Sequence, residues 1–117
     1  MTICLDLSLP PSTNALHRAV RGRVIKSKKY RDWITQAGKE IMAQRSGQKK
    51  VMGHFHAHLI VSDVLRRSNS DLDNRSKAVL DLLQAHGLIE NDCLMDHFVT
   101  EWGATKLGCR IFVWPTE

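Results

Sequence analysis

The sequence predicts an α+β fold: a single small domain over residues 1–117, with a mixed β-sheet covered by two helices. Three observations carry this. Apolar residues alternate with polar ones near the start, in the middle and near the end of the chain. Two intervening stretches show helical spacing instead. A length of 117 residues supports one modest core, and no internal repeat, low-complexity tract or linker divides it.

Taken in order, Ile3, Leu5, Leu7 and Leu9 alternate with polar residues as in a half-buried strand, which Pro10-Pro11-Ser12 ends. A loop through Asn14 and His17 leads to a short ribbon over Val20–Ile25, bent at Gly22. Ser27 is placed to cap a helix, because Tyr30, Trp33, Ile34, Ala37, Ile41 and Met42 then recur at helical spacing up to about Arg45. Gly47 and Lys49-Lys50 mark a surface loop. In the strand predicted over His54–Val64, Phe55, Ala57, Leu59 and Val61 share one face, and His54, His56, His58 and Ile60 the other. Arg66 to Ser70 is polar and loop-like. A second helix spans about Asp73–His86, with Val79, Leu82 and Leu83 inward and Gly87 as its stop. Two final strands, Cys93–Trp102 and Lys106–Trp114, are joined by a turn around Gly103-Ala104-Thr105.

Composition narrows the function. With 43% hydrophobic and 25% charged residues the chain reads as an ordinary soluble globular protein. No apolar run is long enough to span a bilayer, and Met1–Leu9 lacks the basic start of a secretion signal, so a cytoplasmic location is expected. Cys4, Cys93 and Cys109 are odd in number and lack paired spacing. They predict buried thiols rather than a disulfide framework or a zinc site. The net charge of +5 is unevenly spread: residues 1–50 carry +8 and residues 51–117 carry −3. Such asymmetry suits a protein that grips a polyanion with one surface and holds cations with another, although a merely basic surface would look the same.

The chemistry-bearing stretch runs from Ser70 to Asp92. Asp71 and Asp73, two residues apart, project to the same side of an extended segment, where a divalent cation would relieve their repulsion. On the following helix Asn74, Lys77 and Asp81 share the face opposite Val79, Leu82 and Leu83. Lys77 could therefore stabilise charge on a phosphate near the metal site. A return of the chain after Gly87 could bring Asp92, with Glu90 and Asn91, back to the start of this helix. Taken alone, Asp71-Leu72-Asp73-Asn74 equally suits helix capping, and Lys77–Asp81 a solvated i,i+4 pair.

The longer pattern resembles the RusA family of Holliday-junction resolvases. It is carried by Asp71, Asp73, Asn74, Lys77, Asp81, Leu83, Gly87, Leu88-Ile89 and Asp92. Leu9-Pro10-Pro11-Ser12-Thr13-Asn14, with Arg18 and Arg21-Gly22-Arg23, is similar to the family's N-terminal loop and basic ribbon. Tyr30-Arg31-Asp32-Trp33 resembles the start of its first helix. The resemblance implies a RusA-like fold and a homodimeric, Mg²⁺-dependent endodeoxyribonuclease that cuts four-way DNA junctions in recombination and repair, leaving a 5′-phosphate and a 3′-hydroxyl. Mn²⁺ could substitute for Mg²⁺, and the setting would be bacterial or phage-encoded. Asp71, Asp73 and Asp92 would be the catalytic acids and metal ligands, with Lys77 catalytic beside them. Asn14, Arg18, Arg21, Arg23, Lys26, Lys28, Lys29, Arg67 and Asn74 would contact DNA. One departure stands out: Asn91-Asp92 replaces the family's closing pair of aspartates, leaving Asp81, Glu90 and Asn91 as auxiliary candidates. That departure keeps open a branched-DNA binder that no longer cuts. A nuclease acting on flaps or other branched DNA is the other alternative.

Three further features compete for attention. His54, His56 and His58 on one strand face suggest a metal, but no cysteine completes a set, so a polar or dimer-facing surface is the expectation. Trp33 belongs to the core, and Trp102 and Trp114 to packing positions. His17 lies in the basic loop.

Overall fold

Ile3, Leu5 and Leu7 are buried while Cys4 is exposed between them, so the alternation of the first strand, β1 (Ile3–Leu7), is realised in space. The computed structural model describes residues 1–45, 49–66, 72 and 74–117. A two-stranded ribbon follows, β2 (His17–Val20) and β3 (Arg23–Lys26), turning through Arg21 and Gly22, both at positive φ. Two consecutive left-handed residues make the tight hairpin turn that matches strand twist, and glycine takes the second place without strain.

Ser27 caps α1 (Lys28–Gln44), its hydroxyl accepting from the Tyr30 N–H at 3.1 Å. Tyr30, Trp33, Ala37, Gly38 and Ile41 form its buried face. Met42, expected inside, is exposed; Gly38 takes the inward place and approaches His86 closely. Next come β4 (Phe55–Ser62), α2 (Ser76–Ala85), β5 (Met95–Gly103) and β6 (Cys109–Pro115). Gly87, at φ 72°, stops the second helix as expected. That helix starts later than Asp73, with Asn74 and Arg75 in a turn before it.

The sheet order is β1-β6-β4-β5. β6 runs antiparallel to both β1 and β4, and β5 runs parallel to β4. The turn after Gly103 therefore does not close a hairpin: β4 lies between the last two strands. Parallel neighbours need a crossover, and α2 provides it. Phe55, Ala57, Leu59 and Val61 join Ile111 and Val113 and the inward residues of both helices in one core. The fold is thus the expected mixed sheet covered by two helices.

Cys4, Asp6, Arg110, Phe112, Trp114, His56, His58, Ile60, His97, Val99 and Glu101 point the other way, onto the face that neither helix covers. The expectation of three buried thiols is corrected here. Cys109 is buried, and burial pushes its thiol up to about 12. Cys4 and Cys93 are exposed, one at an outward position of β1 and the other in the turn before β5. Trp33 is core, with its indole N–H donating to the Ser8 carbonyl at 2.9 Å. Trp102 packs against the core, and Trp114 stacks on His56 across the uncovered face. Among the described residues no helix is long and apolar enough to cross a membrane.

Candidate active site

The turn that leads into α2 is tied to the chain that leaves β1. The Thr13 N–H and hydroxyl both donate to the Asn74 carbonyl, at 2.8 and 2.9 Å. The Arg75 guanidinium donates to the Pro10 carbonyl at 2.6 Å. Pro10 and Pro11 are buried, so the strap is rigid as well as bonded. The sequence marked the Pro-Pro-Ser segment only as a strand stop and a motif. Its contact with Asn74-Arg75 is a tertiary pairing that local pattern does not reveal. Asp71 and Asp73, expected in the chain just before this turn, lie outside the described residues, as does Arg67.

Along α2, Lys77, Asp81 and Gln84 fall at i, i+4 and i+7 and form one stripe away from the core. The Lys77 ammonium lies 3.4 Å from the Asp81 carboxylate, with both side chains more than a third exposed. A pair so open to water is weak, roughly 0.2–1 kcal/mol, and easily exchanged for another anion.

The chain returns onto α2 after Gly87, but the described contact is with the last turn of the helix rather than with its expected start. Its recorded anchor is Gln84 in the last turn of α2, whose side-chain oxygen accepts from the Asp92 N–H at 3.1 Å. The carboxylate of half-buried Asp92 bonds no described side chain or backbone group. Asn91 caps the 3₁₀ turn Asp92–Leu94, its Oδ1 accepting from the Cys93 N–H at 2.9 Å. Glu90 accepts from the Gly53 N–H and so fixes the approach to β4. These two auxiliary candidates thus hold the backbone around Asp92. Gln84, which sequence reasoning did not single out, is the residue that docks Asp92 on the stripe. Its only signal was its spacing from Lys77 and Asp81.

The expected donor set fits Mg²⁺ by its chemistry. Carboxylate oxygens are the ligands a hard divalent cation takes, and the carboxylate of Asp92 is uncommitted among the described residues. No group of three His, Cys, Asp or Glu residues capable of holding a metal occurs among the described residues, which include only one of the three expected acids. The histidines are otherwise engaged. His54 meets Asp96 at 2.9 Å and His58 meets Glu101 at 3.0 Å, while His56 packs between Trp114 and His97. A hydrogen bond from Thr116, then the His54 contact, holds the Asp96 carboxyl below its ordinary value.

The basic candidates are spread over the ribbon and the start of α1. Asn14 is exposed in the 3₁₀ turn Thr13–Ala15, and Arg18, Arg21, Arg23 and Lys26 are exposed on the ribbon. Lys29 is exposed on α1, and Lys28 pairs with Asp32 at 2.8 Å, both far out in solvent. The ribbon base is closed by the Ser27 hydroxyl donating to the Ala15 carbonyl at 2.6 Å. The ribbon therefore springs from the same loop that is strapped to α2. A family model, endodeoxyribonuclease RusA, matches residues 8–113, a span that includes the strap, the ribbon, the stripe and Asp92. No curated protein matches the chain.

Proposed function

The chain belongs to the RusA family of endodeoxyribonucleases, and from that premise we propose that it resolves four-way DNA junctions by Mg²⁺-dependent phosphodiester hydrolysis in recombination and repair. The observation that carries this reading is the strap from Thr13 and Pro10 to Asn74 and Arg75. It joins the basic ribbon, which can hold phosphates, to the helix that presents Lys77 and follows Asp71 and Asp73.

In this reading Asp71, Asp73 and Asp92 hold Mg²⁺, with Mn²⁺ as a substitute. The ion supplies a Lewis acid for the scissile phosphate and a more acidic water as nucleophile. Lys77 leaves its loose contact with Asp81 to neutralise charge on the phosphoryl oxygens as attack proceeds in line. Gln84 and Asn91 keep the Asp92 backbone in place while its carboxylate works. The Asn91 departure thereby acquires a supporting role, because a capping amide needs no charge. Arg18, Arg21, Arg23, Lys26, Lys28 and Lys29 hold backbone phosphates, with Asn14, Asn74 and Arg67 near the strand to be cut.

A junction has approximate two-fold symmetry, so a C2 homodimer would bring one site to each of two opposed strands. The uncovered sheet face with Phe112, Trp114, Ile60 and Val99 is the surface we assign to the second copy. A bacterial or phage cytoplasm is the corresponding location. Incubating purified protein with a synthetic four-way junction and Mg²⁺ tests the reading. Paired, symmetric cuts are expected, together with a dimer by sedimentation. Binding without any cut would make the protein a branched-DNA binder, and preferential cutting of flaps would make it a nuclease of broader choice.

A further inference from the structure

His56 and His58 of β4 share the uncovered sheet face with His97 of β5, and His54 precedes them in the chain. Two of the four spend a ring nitrogen on a carboxylate, His54 on Asp96 and His58 on Glu101. His56 and His97 make ring contacts only, and no described group hydrogen-bonds their nitrogens. The sequence draws attention along β4, where residues two apart stand roughly 6–7 Å from one another. The topology adds a shorter route. His97 faces His56 directly across the parallel β4–β5 pair, where adjacent strands are only about 4.8 Å apart. The two ring centres are 5.7 Å apart.

This spacing is close to what one shared ion requires. An imidazole nitrogen binds a first-row ion at about 2.0–2.1 Å, so two imidazoles on one tetrahedral ion have ring centres about 5 Å apart. A small turn of either side chain covers the difference. Trp114 stacks on His56 at 5.7 Å and steadies its ring. β5 is the edge strand of the described sheet and His97 is exposed on it, so the pair can be reached from solvent. Beside His56 opens a cleft of about 310 Å³, whose other lining is Trp114, Pro115, Thr116 and Glu117. It has room for water, and Glu117 gives it a carboxylate. A bulge brings a second anion. Phe55 faces Met95 and His56 faces His97, so Asp96 is the extra residue of β5. There His54 and Thr116 both reach it, at 2.9 and 2.8 Å. The hydrogen bond from Thr116 holds the Asp96 carboxyl below its ordinary value, which keeps it an anion.

We propose that His56 and His97 form a two-imidazole site for a borderline transition-metal ion such as Zn²⁺, Ni²⁺ or Cu²⁺. Water completes the shell from the cleft, since the described residues hold no set of three protein ligands. Neutral imidazole suits these ions, whereas Mg²⁺ takes oxygen. The site is therefore chemically separate from the carboxylates assigned to Mg²⁺, and it does not rest on the nuclease reading. An ion here pins the edge strand β5 to β4. β5 follows directly on the turn that carries Asp92, so the same ion would steady that turn.

Two measurements on the full chain, first stripped of metal, test this. Zn²⁺ is titrated by calorimetry in excess Mg²⁺. His97→Gln should weaken the binding at least ~10-fold, because a ligand is lost outright. His56→Gln should do the same. His58→Gln, the neighbour along β4, should hardly change it. Separately, pulsed EPR at one equivalent of Cu²⁺ should show two coupled imidazole nitrogens in the wild type and one in His97→Gln. His97 is exposed, so the metal-free melting temperature of that variant should match the wild type, and it carries the test even if His56→Gln fails to fold. Zn²⁺ binding that survives His97→Gln, an equal loss in His58→Gln, or a Cu²⁺ spectrum with fewer than two imidazoles would each overturn the site. A chain that binds Zn²⁺ here and cuts no junction keeps the site and loses the nuclease reading; one that cuts junctions with no histidine-bound Zn²⁺ does the reverse.

Discussion

The β2–β3 ribbon carries Arg18, Arg21, Arg23 and Lys26 and no acid, whereas the β4–α2–β5 crossover carries more acids than bases, and the two are built in opposite ways. Every residue of the ribbon is exposed, and among the described residues its strands pair only with each other. The crossover helix buries Ala78, Val79, Leu80, Leu82 and Leu83 and is fixed at both ends, by the strap at Asn74-Arg75 and by Gln84 at Asp92. Positive charge meant for phosphate is placed where the fold does not depend on it. Groups meant for chemistry are placed on an element that the core holds still. The contrast follows from what each must do, since phosphate contacts tolerate movement and bond cleavage does not.

This contrast can be broken from either side. The largest effect is expected from Asp73→Asn, which should lower junction cleavage at least ~100-fold while gel-shift affinity is kept; unchanged cleavage would remove Asp73 from the site. Next, Arg18→Ala with Arg23→Ala should weaken junction binding and reduce the slope of log K against log salt by about two, because two phosphate contacts are lost. The melting temperature of that double variant should hardly move, as both side chains are exposed. Arg75→Met sharpens the comparison by loosening the strap itself. It should cost about 1–2 kcal/mol in urea unfolding, for the loss of one charge-assisted hydrogen bond to a buried proline carbonyl.

The smallest effect concerns the thiols. Under native conditions near pH 8 a thiol reagent should modify Cys93 first and Cys4 more slowly, because desolvation raises the Cys4 thiol, and should reach Cys109 only on unfolding. The sign for stability follows from the raised value of Cys109. The folded chain keeps this proton when the unfolded chain, with a thiol near 9, has lost it. Its contribution is therefore intact below pH 9 and declines as pH rises toward about 12, visible as steeper alkaline unfolding than in Cys109→Ala.

What the sequence made legible was whatever depends on neighbours in the chain. The two faces of β4, the Ser27 cap and the Gly87 stop follow from period, side-chain reach and backbone freedom, and all three are present. Strand order was not legible, because nothing local tells β6 to choose β1 and β4 over β5. The exposure of Cys4 has the same origin: alternation says that it faces away from Ile3 and Leu5, but only the topology shows that neither described helix covers that side. In the site, the stripe of Lys77 and Asp81 could be read from helical spacing, whereas the partners that hold it, Thr13, Pro10 and Gln84, are distant in sequence or silent in pattern. Asn91 stands out in the sequence only as a departure from an acidic pair, because the bond its side chain accepts from the Cys93 N–H becomes visible only with the turn in place.

The position of β6 also governs timing. It is the last of the described strands to be made, yet it sits between β1 and β4 and supplies the only described sheet partner of β1. During synthesis β1 must wait for residues 109–115 before it can join the sheet, and the strap from Pro10 and Thr13 to α2 cannot be drawn tight until β1 is seated. A ribosome-bound chain that stops short of β6 would therefore carry the acidic motif and the basic ribbon without holding them together, so the assembled site would come into being only once translation has passed that strand.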